Sequence, residues 1–245
     1  MNTWQQGKCE VTYVGHSTVL LTTELGKRVV FDPWFAGNPR CPATLEDPGK
    51  VDFILLTHGH NDHTASAVQL AKKYGAMLFA TYELAMLMVR EGVNEKQVQP
   101  MNKGGTVTIS GSSALRLSLT NAFHSSSYDA SDGKTYYAGE PCGIVLGLES
   151  GRTVYHAGDT ALFRDMELIG ELYHPELALL PIGDRFTMGP EQAAVAARFI
   201  KPRVVIPIHH GTFDLLTGTP SEFTSRLQGS EIRPVVLEPG EKFIL

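Results

Sequence analysis

The chain has 245 residues, 42% of them hydrophobic and 19% charged, with a formal net charge of −5. That length suits one large domain, 1–245, with a substantial core, and no linker-like stretch divides it. The acidic balance and the lack of a Lys/Arg stripe argue against electrostatic capture of nucleic acid, and no run approaches the roughly 18 apolar residues of a membrane span.

The opening MNTWQQGKCEVTYVG has no cationic segment followed by an apolar run, so no secretory leader is expected. The strand-like segments CEVTYVGHSTVLLTTE (9–24) and KRVVFDPW (27–34) bracket Gly26 and predict a hairpin. VDFILLT (51–57) is a short continuous apolar run, as in a strand covered on both faces. TASAVQLAKKYG (64–75) predicts a helix stopped by Gly75, AMLFAT (76–81) a strand, and YELAMLMVREG (82–92) a second helix. TVTIS, ALRLSLTNAFH, GIVLGLES and TVYHAG predict further strands, punctuated by Gly104-Gly105, Gly111 and Ser150-Gly151. The polar stretch 125–141 reads as a long loop whose length suggests function.

The last third alternates. LALLPIG predicts a strand, GPEQAAVAARFI (189–200) a helix with Pro190 in its first turn, and RVVIPIHH (203–210) a strand. PSEFTSRLQG (220–229) predicts a helix, and IRPVVLEPGEKFIL a closing hairpin around Pro239-Gly240. The order is β-rich, helical, β-rich, helical. It predicts an α/β protein built as two packed sheets with helices outside, rather than a simple βαβ repeat.

Cys9, Cys41 and Cys142 are scattered, odd in number and form no CxxC pair. They fit a reducing cytoplasm better than a disulfide scaffold. There is no GxSxG elbow, and no cysteine has an adjacent histidine, so no nucleophilic serine or cysteine is expected.

THGHNDH (57–63) carries the chemistry. His58, His60, Asp62 and His63 fall within six residues, directly after an apolar strand. Crowded without partners, such groups would desolvate one another at a cost, and a divalent metal relieves this. Neutral imidazole and carboxylate suit zinc, manganese or iron. In an extended segment His58 and His60 point to one side, leaving Asp62 and His63 free to aim at a second ion. Asp62 also falls near the start of a helix, where a negative group is favoured. Downstream, His124, Asp159 and the pair His209-His210 each follow an apolar strand, which suggests ligands gathered on one rim.

These motifs resemble the metallo-β-lactamase superfamily of αββα hydrolases, whose first motif has the form HxHxDH. YVGHSTVLL, VVFDPW, HAGDT, FTMGPEQAA and VIPIHHGTF resemble a narrower branch of metal-dependent hydrolases similar to the L-ascorbate-6-phosphate lactonases. The resemblance covers nearly the whole chain. It implies a four-layer αββα sandwich of two mixed sheets and two divalent metal ions, zinc or manganese, with iron as an alternative. It implies His58, His60 and His124 on the first ion, Asp62, His63 and His209 on the second, and Asp159 and a hydroxide between them. Asp62 would also hold the attacking water or pass its proton onward. The resemblance favours His209 over His210, and strand alternation lets only one of the two reach the metals.

Around this set, Asp32 would orient a ligand histidine through its free ring nitrogen, or else cap the turn before Pro33. His16 either supports the site or is structural. Arg185 would clamp a substrate anion, or else pair with Asp184. His210 would face substrate or merely pack, and His156 and His174 read as structural. The expected partner is a small polar substrate, a lactone or phosphoester, with no nucleic acid and no membrane; short apolar edges allow a homo-oligomer. Three other readings stand beside this one: a nuclease, a mononuclear iron dioxygenase, and a non-catalytic metal-binding protein. The di-iron reductase type carries Glu where this chain has His60, which argues against that version. Loops 36–49, 125–141 and 183–189 would set the substrate.

Overall fold

The computed structural model describes residues 8–109 and 115–245. The segment MNTWQQG and the expected turn at Gly111 lie outside the described residues. Two seven-stranded sheets face one another. The first runs, in chain order, through β1 (Glu10–Gly15), β2 (Thr18–Thr22), β3 (Arg28–Phe31), β4 (Phe53–Leu55), β5 (Met77–Thr81) and β6 (Val98–Met101). The second holds β7 (Thr106–Thr108), β8 (Arg116–Asn121), β11 (Cys142–Gly147), β12 (Thr153–His156), β13 (Leu177–Pro181), β14 (Val204–Ile208) and β15 (Arg233–Pro234). A small hairpin, β9 (Ser127–Asp129) with β10 (Thr135–Tyr137), stands apart, and β16 (Lys242–Ile244) returns to the edge of the first sheet beside β1.

The helices cover the outer faces. After β4 come α1 (Asn61–Thr64) and α2 (Ala67–Tyr74), and after β5 comes α3 (Tyr82–Arg90). On the second sheet lie α4 (Met166–Tyr173), α5 (Pro190–Ile200) and α6 (Pro220–Arg226). Successive strand side chains alternate between two cores. Leu55, Leu179 and Ile206 enter the core between the sheets. Ile54 and Leu56 meet α2 and α3 residues such as Leu70, Leu84 and Met88. Ala178, Leu180 and Val205 meet Ile169, Ala193 and Ala197 on α4 and α5. The central strands are therefore apolar on both faces, which is why they read as continuous runs. This is the expected αββα sandwich of two mixed sheets: β3 to β6 pair in parallel, as do β12 to β15, while β1–β2–β3 and β8–β11–β12 are antiparallel.

Four local expectations change. The stretch 9–24 is itself a hairpin, because the chain turns over at His16 and Ser17 between β1 and β2. The supposed loop 125–141 contains β9 and β10, whose short polar strands lack an alternating apolar signal. The C-terminal hairpin does not form. β15 joins β14 in one sheet and β16 joins β1 in the other, so the Pro239-Gly240 turn carries the chain across the sandwich. Helix α4 was not foreseen, since MELIGELY is short and follows no strong capping signal.

At one end of the sandwich, the β2–β3 and β11–β12 turns meet through carboxyl groups. Thr23 Oγ1 donates to Glu149 Oε1 at 2.7 Å, and Arg152 Nη2 donates to Glu24 Oε1 at 2.8 Å. The second oxygens, Glu24 Oε2 and Glu149 Oε2, are buried without a hydrogen-bond partner. Burial and then Glu24 push Glu149 above the usual carboxylate range. A folded-state value above the unfolded one contributes stability at low pH, and this is lost as pH rises through the folded value. Glu149→Gln keeps a donor toward Glu24 without titrating. Melting temperatures between pH 5 and 8 should therefore decline less in this variant than in the parent. Parallel declines would show that protonation of Glu149 contributes nothing to stability.

Candidate metal centre

The opposite end of the sandwich gathers the polar residues. His16 lies between β1 and β2, Asp32 follows β3, and THGHNDH follows β4 and opens α1. His124, Asp159 and His209 follow β8, β12 and β14. Parallel and twice-reversed strands bring all these ends to one rim, as the strand-end pattern predicted.

Asp159 is the hub. Its Oδ2 lies 3.0 Å from His209 Nε2, 3.6 Å from His124 Nε2 and 4.0 Å from His58 Nε2, and its Oδ1 lies 3.4 Å from His63 Nε2. His58 Nε2 and His60 Nδ1 are 3.0 Å apart, so the two rings do share a side. His58, His63, Asp159 and His209 are buried, whereas His60 and His124 are partly exposed. Donor atoms of His58, His60 and His124 lie within 4.8 Å of one another, and so do those of His16, Asp62, His63 and His209.

Asp62 and His63 aim apart. Asp62 Oδ2 meets His16 Nε2 at 3.0 Å, and His16 Nδ1 meets Thr212 Oγ1 at 2.9 Å. His63 Nδ1 meets Asp32 Oδ2 at 2.7 Å. Asp32 also accepts from Thr57, from its N–H at 2.8 Å and its hydroxyl at 2.6 Å. Asp32 thus makes the contact to His63 that an orienting role needs. Thr57 and Thr212 are parts of the site that the sequence reading missed, although each lies within two residues of a motif histidine.

Three of these residues hold an uncommon backbone. His16, Asp32 and His209 have φ of 57°, 45° and 55°, the left-handed region that non-glycine residues rarely occupy. Such strain persists where surrounding contacts fix it. For His209 the fixing is visible: its N–H donates to the His16 carbonyl at 2.8 Å, and a side chain on Gly183 would collide with the His209 carbonyl oxygen. Only glycine fits at 183.

The charges are matched. Burial alone would raise Asp159, but His209 and His63 hold it well below the ordinary carboxylate range. Burial would lower His63, but Asp159, Asp32 and Asp62 raise it well above the ordinary imidazole range. The carboxylates thus demand a positive charge beside His63. His58, His60 and His124 are lowered, chiefly by burial, and so present neutral rings. Burial likewise lowers His16 to about 4.

The remaining candidates lie at the margin. His210 points away from the cluster, stacks on Tyr13 with ring centroids 6.2 Å apart, and keeps Nε2 buried without a partner. The Arg185 N–H donates to Asp184 Oδ1 at 2.8 Å, while its guanidinium lies over the Phe186 ring, 5.5 Å from the centroid. Among the described residues no carboxylate pairs with that guanidinium. His156 lies behind the cluster and takes no part in it: it bonds the Ser17 carbonyl at 3.0 Å, accepts from the Gly158 N–H at 3.1 Å and stacks on Phe31. His174 closes α4 in a left-handed cap.

Two facing mixed sheets, outer helices and a rim of His and Asp define a metal-dependent hydrolase of the metallo-β-lactamase type. A family model described as "Beta-lactamase superfamily domain" matches residues 27–210, and the chain belongs to that superfamily. It is 48% identical over 238 residues to the UPF0173 metal-dependent hydrolase of Rubrobacter xylanophilus, covering 96% of each chain. The solved structure of a metallo hydrolase from the archaeon Ignicoccus hospitalis matches with a TM-score of 0.87 at 35% identity, over 97% of this chain and 98% of that one. An isothiocyanate hydrolase from Delia radicum gut bacteria shares the fold at a TM-score of 0.75 and 21% identity, over 96% of this chain and 98% of that one. No helix among the described residues is long and apolar enough to cross a membrane.

Proposed function

We propose that this single-domain chain hydrolyses a small-molecule substrate, a lactone or a phosphoester, with two divalent ions, zinc or manganese. His58, His60 and His124 would hold the first ion, Asp62, His63 and His209 the second, and Asp159 would touch both. One observation carries the reading. His63 Nε2 and Asp159 Oδ1 are buried without hydrogen-bond partners, 3.4 Å apart, inside a ring of imidazoles. Buried polar atoms are rarely left unpaired. Ligands about 2.1 Å from a tetrahedral ion stand about 3.4 Å from one another, which fits the 3.0–4.0 Å spacings around Asp159.

Bound ions would supply Lewis acidity and lower the pKa of water, to about 7 in favourable sites. The chain's own residues do the rest. Asp62, held by His16 through Oδ2, keeps its charge because His63 and the His16 hydrogen bond outweigh burial. It would hold the attacking water and receive its proton. Thr212 fixes His16 from behind, so the proton acceptor is oriented by two hydrogen bonds in series.

The test is metal content per chain, by elemental analysis of protein purified without a histidine tag, followed by lactone and phosphodiester panels. About two zinc or manganese ions with turnover support the reading. A single iron, with no second ion taken up on adding metal, points instead to the oxygenase class.

Asp32 gives a further expected result. Outer carboxylates that orient metal-bound histidines typically contribute about 10–100-fold in affinity. Asp32→Asn keeps the shape and loses the charge facing His63. Zinc competition against a chromophoric chelator should show a loss in that range, and unchanged affinity would remove Asp32 from the site.

A further inference from the structure

The rim around the cluster is polar on one side and apolar on the other. Asn61 and Ser125, beside His60, are exposed and polar. Along the second sheet's loops stand large apolar side chains: Phe123 is 54% exposed, Phe186 50%, Phe213 42% and Leu215 50%. Three of them follow or adjoin cluster residues on the same loops: Phe123 beside His124, and Phe213 and Leu215 after His209. Phe123 precedes His124, and its N–H donates to Thr160 Oγ1 beside Asp159 at 3.0 Å. The Thr160 carbonyl accepts from Met188, which closes the turn holding Phe186. Gly183, at the start of that turn, accepts from Gly218 and packs on His209 and Leu216. Phe213 stacks on Trp34 at 6.0 Å and meets the His16 ring edge-on at 5.6 Å. Phe123, Phe186, Leu215 and Phe213 therefore stand on an arc of loops beside the cluster, joined to one another by the Phe123–Thr160, Met188–Thr160 and Gly218–Gly183 hydrogen bonds.

Large apolar side chains exposed together are unusual on a soluble surface and mark a binding site. Each keeps about half of its surface in solvent, whereas Leu216, next to Leu215, is buried. We infer that this arc seats the apolar body, an aryl or alkyl group, of the molecule hydrolysed at the cluster, so that the substrate is amphipathic rather than uniformly polar. The inference rests on the hydrolase reading above and narrows it. Continuity with the cluster is what favours a substrate over a second copy of the chain: the loops after β8 and β14 present both apolar side chains and metal-capable groups, and the Phe186 turn is hydrogen-bonded between them. The polar side of the rim, at His60 and Ser125, would then face the substrate's polar end.

The test compares methylphosphonate with benzylphosphonate, two non-hydrolysable anions that differ by one ring, by calorimetry on the zinc-loaded full chain. Seating one ring against the arc should make benzylphosphonate bind about tenfold more tightly. That preference should fall to nearly one in Phe186→Ala/Phe213→Ala with metal content checked, and return in part in Phe186→Leu/Phe213→Leu. Equal binding of the two anions by the parent, or a preference untouched by the alanine variant, overturns the inference while leaving the hydrolase reading intact. Failure of both anions to bind, with no turnover of any lactone or phosphodiester, overturns the hydrolase reading and this inference together. Sedimentation supplies the last arm: a parent dimer that the alanine variant converts to monomer assigns the arc to contact between copies and overturns the inference.

Discussion

Asp159→Ala is expected to reduce bound metal from two ions to one or fewer and to slow hydrolysis by about three orders of magnitude, the several kcal/mol that an ion supplies to the transition state. The expectation follows from position. Asp159 is the only carboxylate whose oxygens lie within 4.0 Å of His58, His63, His124 and His209 together among the described residues. Its removal also takes away the largest attraction that charges His63, leaving that buried ring balanced by Asp32 and Asp62. Asp159→Asn separates the two effects, since it keeps one oxygen donor and the shape but loses the charge. The measurement is metal per chain after dialysis, with kcat/KM on whichever panel substrate turns over. Two ions retained tightly in the alanine variant would remove Asp159 from its bridging place.

The layered architecture was legible because its physical cause is local. Strands covered on both faces must be apolar throughout, and FILL, LALLP and VVIPI are. The histidines were legible for the same reason in reverse, since polar groups at the ends of such strands have little structural purpose. What stayed hidden is what depends on long-range partners. Nothing in SSSYDASDGKTYYAGEP marks β9 and β10, because a two-stranded hairpin of polar residues is defined by its turn and by packing on α3, where Arg90 meets Asp132 at 2.9 Å and Tyr136 at 2.8 Å. The C-terminal segment has good hairpin chemistry at Pro239-Gly240. Yet β1 offers an open edge to β16 and β14 offers one to β15, and two sheets outcompete one turn. The role of Asp32 was an open choice in sequence because both readings need only an Asp before Pro. The partner that an orienting role needs, His63, is 31 residues away.

Strain adds a constraint on how the site is held. Left-handed non-glycine residues cost on the order of 1–3 kcal/mol each where the backbone region is sparsely populated. His16, Asp32 and His209 share that conformation at one rim. Each is tied through its backbone: Asp32 N–H to the Leu55 carbonyl at 3.0 Å, His209 N–H to the His16 carbonyl at 2.8 Å, and the His16 carbonyl also to Tyr13 OH at 3.1 Å. These ties turn the chain sharply at the strand ends, so that side chains leave the sheet and point across the rim instead of into the core. The cost is met by a rigid sandwich, consistent with a site that must be formed before substrate arrives.

His209→Ala and His210→Ala form the second decisive comparison. Strand β14 sends Ile206 and Ile208 into the core between the sheets and Val205 toward the helices. The left-handed turn at His209 then breaks that alternation and swings its ring to Asp159, with Nε2 3.0 Å from Oδ2. His210 is left on the other side against Tyr13. His209→Ala should therefore lose one ion and nearly all turnover. His210→Ala should keep both ions and lose only packing against Tyr13, about 1 kcal/mol of stability by the usual cost of a point substitution. Elemental analysis and a melting curve on each variant decide the matter. If His210→Ala loses metal while His209→Ala keeps it, the two residues exchange roles, and the strained turn at 209 must then serve to present its neighbour.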